Sequence, residues 1–206
     1  LASNIENDSL SVNLPRAVKE LILDTLRVIS ISISYQDGSD SLVSYISRHD
    51  LSEYEALLFR QLGDLYISKE RILDAANTYL AYTTRNPDNA ISPKFHTSAI
   101  NVYSKGGFPS LVLEAKESFA SQYSIGGEFW LKQTEETRSY LRPLLSRHIL
   151  DLAGHRHAMA KKSKSPVDYK IAAAWYRTYL KDFSANINAS FLFNACAVNM
   201  SIPKRK

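Results

Sequence analysis

The chain is short of cysteine, glycine, proline and long apolar runs. Its one cysteine, Cys196, excludes an intramolecular disulfide framework. Cys196 lies in an apolar run with Phe191, Leu192, Phe193, Ala195, Ala197 and Val198, which predicts a small core residue rather than a reactive thiol. A lone cysteine does not separate cytosol from periplasm. Seven glycines and seven prolines leave little turn-forming material, so long ordered segments with short connections are expected. No apolar stretch approaches the roughly 18 residues needed to span a bilayer. There is no serine in the nucleophile-elbow pattern, no phosphate-binding glycine loop and no zinc-protease helix. Gly106-Gly107 is followed by no lysine-serine pair and reads as a turn. Glu135-Glu136 reads as an acidic pair opening a helix, where the helix dipole favours it, rather than as paired catalytic carboxylates. The sequence therefore points away from an enzyme, and it calls for no cofactor.

Other features are abundant. Hydrophobic residues make up 45% of the chain and charged residues 22%, as suits a globular protein. Twelve tyrosines and eight phenylalanines supply rigid spacers for helix pairs. The richest stretch runs from Ala56 to Asn89. Phe59, Leu62 and Tyr66 recur three and four apart and share one face of a helix. Gly63 sits on that helix where a second helix must come close. Ala75 is small for the same reason, Tyr79 fills the space between the pair, and Pro87 stops the second helix. The two helices are expected near 53–67 and 70–84. Such a hairpin cannot bury its apolar face alone and must stack on neighbours.

Further elements follow from local signals. Pro15 to Tyr35 offers a choice, because Ile29 to Ser34 alternates like a strand. Val18, Ile22, Leu26, Ile29 and Ile33 nevertheless make a helical stripe, and a lone strand would have no partner, so a helix is expected. Pro15 is placed in its first turn with Asn13 as cap. Asp37-Gly38 is a turn, and Ser39 or Ser41 opens a short helix through Ile46. Pro93 starts another helix, Gly106-Gly107 breaks it, and Pro109 begins its partner with Leu111, Val112, Ala115 and Phe119. After Gly126-Gly127 a long helix is expected over 128–162, kinked at Pro143. Ser165-Pro166 opens a helix in which Ala172, Tyr176 and Tyr179 repeat the spacing of Ala75, Tyr79 and Tyr82. Residues 188–200 read as the first helix of another unit, with no polar cap after it, so either the natural protein is expected to continue or another subunit is expected to cover that end by oligomerisation. Residues 1–15 form a polar lead-in, and 16–206 are expected to be one helical domain. The Leu-Ala-Ser start leads us to expect a piece of a longer protein, with any targeting signal upstream.

The pattern of Phe59, Leu62, Gly63, Tyr66, Ala75, Tyr79 and Pro87 resembles the tetratricopeptide repeat, whose period is about 34 residues. Gly63-Asp64-Leu65-Tyr66, the run Gly106 to Lys116, and Trp175 to Leu180 resemble envelope-associated members of that family from Gram-negative bacteria, as does Leu26 to Ser30. The resemblance implies an all-α, right-handed superhelical solenoid of stacked antiparallel helix pairs. It implies a non-catalytic scaffold that presents a concave groove to a peptide or protein, in cell-envelope assembly or maintenance. The periplasm or envelope is the implied compartment, with the cytoplasm left open. Members that bind a terminal carboxylate carry a basic residue and then asparagine four residues on. Here Arg60 holds the basic place but Asp64 replaces the asparagine and would repel a carboxylate.

Three candidate sites follow. In the repeat register, Arg60, Asp64, Lys94, Thr97, Asn101 and Lys105 line the groove, with Arg60 and Lys94 solvated. A basic patch is expected from Arg147, Arg156, Lys161, Lys162 and Lys164. Residues 1–139 hold 13 basic and 18 acidic side chains, net −5, whereas 140–206 hold 12 and 3, net +9. That asymmetry suits an acidic partner or an anionic surface, but no nucleic-acid-binding motif accompanies it, so nucleic acid is not the expected partner. Finally, His148, Asp151 and His155 would share a helical face, with His157 pointing elsewhere. A metal-dependent enzyme on that helix is the rival reading. The spacing matches no ligand signature and a fourth ligand is missing, so a polar cationic face beside Arg147 and Arg156 is expected and no metal is assigned.

Overall fold

A computed structural model of the chain describes residues 15–183. The described residues form nine α-helices and no strand. In order they are α1 (Arg16–Ser34), α2 (Ser39–His49), α3 (Glu55–Ser68), α4 (Ile72–Arg85), α5 (Ser92–Lys105), α6 (Pro109–Gln122), α7 (Glu128–Lys132), α8 (Glu135–Ser163) and α9 (Pro166–Asp182), and a 3-10 turn at Ser52–Tyr54 leads into α3. The all-α class expected from the sequence is the one found. The chain divides into two compact units between Val112 and Leu113, inside α6. No helix of the described residues is long and apolar enough to cross a membrane. The expected helix over 188–200, with Cys196, Phe191 and Phe193, lies outside the described residues, as does Asn13.

The serine–isoleucine alternation of α1 resolves as helix. Leu26 and Ile33 are buried on one face, Ile22 and Ile29 are half-buried, and Val18 at the open end is exposed. Ser30 and Ser34 are buried there too, and their hydroxyls donate back to the carbonyls of Leu26 (2.9 Å) and Ile31 (2.7 Å), which satisfies them without a strand. Pro15 is not in the first turn. It precedes the helix with ψ 146°, and its carbonyl accepts from the N–H of Val18 and Lys19. The fixed φ of proline suits that flanking position as well as the first turn. α2 begins at Ser39 as expected. It runs three residues past Ile46 and ends where Asp50 turns left-handed at φ 52°.

α3 and α4 form the hairpin that the central stretch predicts. A β-carbon on Gly63 would collide with the ring of Tyr79, so the missing side chain sets the helix spacing. At the open end, Glu55 accepts from Arg85 Nε (2.6 Å) and Asn86 Nδ2 (3.0 Å), joining the start of α3 to the end of α4. Aromatic rings carry the packing onward. Phe59 meets Tyr82 edge-on at 5.6 Å, and Tyr82 stacks on Phe95 of α5 at 4.1 Å. Pro93 lies in the first turn of α5, as expected, and Tyr103 donates to Asn77 Oδ1 (3.2 Å) across the α4–α5 contact.

In the second unit the single helix expected over 128–162 is two helices. Gln133 and Thr134 are extended (ψ 157° and 161°), which ends α7 after one turn. Thr134 then caps α8 by accepting from Thr137 N. Arg138, one turn into α8, donates back to the carbonyls of Trp130 (2.9 Å) and Leu131 (3.1 Å). The Trp130 carbonyl also accepts from Gln133 N, whereas that of Leu131 would otherwise be orphaned at the end of α7. Pro143 lies inside α8. α8 and α9 are antiparallel, joined by Lys164 in the left-handed region and Ser165, which caps α9 by accepting from Asp168 N. Ala172 and Ala173 are buried in this hairpin, His157 meets Tyr176 edge-on, and Tyr179 reaches Ser146.

Candidate functional site

The groove candidates divide by environment. Lys94, Thr97, Asn101 and Lys105 follow one another at helical steps along α5, and none is buried. Thr97 donates to the carbonyl of Pro93, while Asn101 and Lys105 are exposed. Arg60 is a correction. It was expected to be solvated, yet its exposure is 8%, its guanidinium lies 5.5 Å from the centre of the Phe95 ring, and its Nε has no hydrogen-bond partner. The face of α3 on which it sits is covered by the aromatic layer, where a cation over a ring is stabilised without water. Asp64 is exposed but committed, because it accepts from the Tyr79 hydroxyl at 2.5 Å. Burial, then the Asp64 charge and that hydrogen bond, push the Tyr79 phenol far above the usual tyrosine range, with Arg60 acting in the opposite sense. Asp64 thus serves the α3–α4 contact and Arg60 the packing of α3 on Phe95 of α5, and the exposed candidate surface narrows to α5.

The basic candidates do not form one patch. Arg156 is half-buried and paired with Glu117 on α6 through Nη2 (2.6 Å) and Nε (3.2 Å) of its guanidinium. Arg147 is exposed and, with Arg142, borders a cavity of about 470 Å³ floored by Pro143, Leu150 and Phe183. Lys161, Lys162 and Lys164 are exposed at the far end of α8, where cations favour the carbonyl end of the helix. Fourteen residues separate Arg147 from Lys161, which is about 21 Å along a helix.

The histidine helix does not gather ligands. His148 is 5% exposed, packs edge-on to Phe119 of α6 at 5.0 Å, and makes no hydrogen bond through either ring nitrogen. Burial, then the charge of Lys116, lower its pKa to about 4; Asp151 pulls the other way, and Arg147 adds a smaller push downward. Asp151 is turned to an ion pair with Lys116, and His155 is exposed. His157 is buried, faces the Tyr176 hydroxyl at 3.4 Å, and is held below its ordinary pKa by burial and by Lys161. The described residues contain no group of three or more histidine, cysteine, aspartate or glutamate side chains arranged to hold a metal ion.

Sequence reasoning missed a polar cavity of about 350 Å³ in the first unit, between the start of α2 and the α3–α4 hairpin. Gly38 at its rim has φ 62°, and a β-carbon there would meet the Tyr66 hydroxyl at 2.9 Å. Tyr66 is 1% exposed, and Arg71 stacks on its ring at 4.3 Å. Arg71 is held by Asp74 (2.6 Å) and the Ser34 carbonyl (3.2 Å). The Asp37-Gly38 turn signal locates one wall, but nothing local announces Tyr66 as the other. A second, larger cavity of about 590 Å³ runs between α1 and α2 beside Ser32, Asp37, Ser44 and Arg48.

No protein-family model, no curated protein and no solved structure matches the chain.

Proposed function

We propose that the chain is a non-catalytic helical-repeat scaffold that binds a peptide or protein partner. In this reading the antiparallel helix pairs belong to a right-handed superhelical solenoid of the tetratricopeptide type. The observation that carries it is the α3–α4–α5 stack. Tyr79 over Gly63 fixes one hairpin, and Tyr82 against Phe95 passes its apolar face to the next helix, which is how a repeat array builds a continuous core. Rigid helices of this kind offer a preformed surface, so binding costs little ordering entropy. The sequence resemblance to envelope-associated proteins makes cell-envelope assembly or maintenance the setting of choice. The recognition surface is the groove-lining face of α5, with Lys94, Thr97, Asn101 and Lys105, because Arg60 and Asp64 are engaged within the helix stack.

A photo-crosslinking amino acid at Asn101 in the full-length protein in its own cells tests the reading, with the same probe at Lys162 as the comparison. A discrete protein adduct at Asn101, lost on double reversal of Lys94 and Lys105 to glutamate, is expected. Adducts at Lys162 alone would move the site to the basic end of α8. Adducts at neither position would sink the scaffold reading for this region.

A further inference from the structure

We propose that the polar cavity between the N-terminus of α2 and Tyr66 is a binding site for a neutral, hydroxyl-bearing ligand, a saccharide of about one ring. The argument is independent of the α5 surface. Three observations converge on the cavity. α2 starts at Ser39, and Gly38 before it has no side chain to cap it, so the N–H groups of its first turn stay available as donors. Tyr66 is almost wholly buried, yet its hydroxyl makes no hydrogen bond within the described residues and points at Gly38. Only the hydroxyl end of the side chain reaches the cavity, where a ligand oxygen can pair with it in place of solvent. Gly38 keeps the space between the two open, since any side chain there would run into the hydroxyl.

Charge selects the ligand class. The walls carry Arg71, Asp74 and Asp37, a net charge of −1, which disfavours an anion. The helix N-terminus and the guanidinium disfavour a cation. A neutral ligand remains, and the walls offer it both kinds of partner. Asp37 and the second oxygen of Asp74 accept, while the amides of Gln36 and Asn77 donate. Neighbouring acceptors and donors in a small space suit adjacent hydroxyls, each of which gives one proton and takes another. A volume of about 350 Å³ is at the lower end for small-molecule sites. A peptide would need an extended groove with apolar pockets for alternate side chains, which this cavity lacks.

The test is an amide-shift titration of the isotopically labelled full chain with methyl glucoside and with N-acetylglucosamine. Triglycine and inorganic phosphate serve as peptide and anion controls. Saturable shifts at Gly38, Ser39, Asp40 and Asn77 with at least one sugar are expected. Tyr66→Phe is expected to melt with the parent, because its hydroxyl faces the open cavity and holds no other side chain, and to weaken sugar binding by about threefold to tenfold. Gln36→Ala, on an exposed turn, gives a comparable loss and keeps the test open should Tyr66→Phe fold poorly. The proposal is overturned by the absence of saturable shifts with both sugars, by a response confined to triglycine or phosphate, or by full sugar affinity in folded Tyr66→Phe.

Discussion

The ring of Tyr79 lies where a side chain on Gly63 would have to be, and its hydroxyl reaches one residue further to Asp64 at 2.5 Å. Sixteen positions apart in sequence, Gly63 and Tyr79 set the closest approach of α3 and α4. The packing of α5 builds on that spacing, since Tyr79 and Tyr82 both touch Phe95 of α5. Substitution at Gly63 should therefore be felt well beyond the hairpin.

Gly63→Ala is expected to destabilise the protein by about 1–3 kcal/mol, through overpacking against Tyr79. Gly154→Ala is the matched control. Gly154 lies within α8, and a β-carbon there meets nothing within 4 Å. That change should stabilise by about 0.5–1 kcal/mol, from helix propensity alone. Urea unfolding of both variants against the parent reads the two signs. Equal effects would show that close approach plays no part at Gly63.

Ala75 and Ala172 are both fully buried in their hairpins. Replacing either with tryptophan inserts a large ring into a closed contact, at a cost of about 1–3 kcal/mol or more. Calorimetric melting checks this, with Ala174→Trp on the exposed side of α9 as the reference. If Ala75→Trp and Ala172→Trp melt with that reference, those contacts are looser than described.

His148 predicts a pH dependence with a definite sign. Its folded-state pKa is lowered to about 4 from the ordinary value of 6.5. Between those values the unfolded chain takes up a proton that the folded chain refuses, so stability falls as pH drops from about 6.5 to about 4. Above that window His148 adds no slope. The full loss is on the order of 3 kcal/mol. His148→Leu should remove this component while other groups continue to titrate. The informative quantity is the parent-minus-variant difference in unfolding free energy at pH 7 and at pH 4.5. A difference that does not change with pH would mean that His148 is accessible to protons in the folded state.

Much of the helical layout was legible because its signals are local. Apolar residues three and four apart marked the buried faces of α1 and α3. Gly106-Gly107, Pro109 and Ser165-Pro166 marked ends and starts through φ restrictions and capping. Even Gly63, Ala75 and Tyr79 could be matched, because a hairpin places residues close in sequence into one contact. The break between α7 and α8 was not legible. It depends on Arg138 reaching back to the carbonyls of Trp130 and Leu131, and an arginine on a helix looks the same whether it does so or not.

The candidate sites were less legible, for a reason of scale. Helical period decides which residues share a face but not what that face meets. Arg60 has the spacing of a solvated groove residue, and Phe95 from α5 covers it. His148 and His155 share a face of α8, yet His155 is about 10 Å further along the helix. One is buried against Phe119 and the other is exposed. Tyr66 reads as a core tyrosine in any sequence, and only the turn at Gly38 leaves its hydroxyl facing an open cavity. The sequence by itself determined the helices, most of their ends and the α3–α4 hairpin, since contacts within a turn or across a short connection need no further information. The tertiary structure decided which polar groups are committed, which are buried and which face a cavity, since those depend on where residues distant in sequence come to rest.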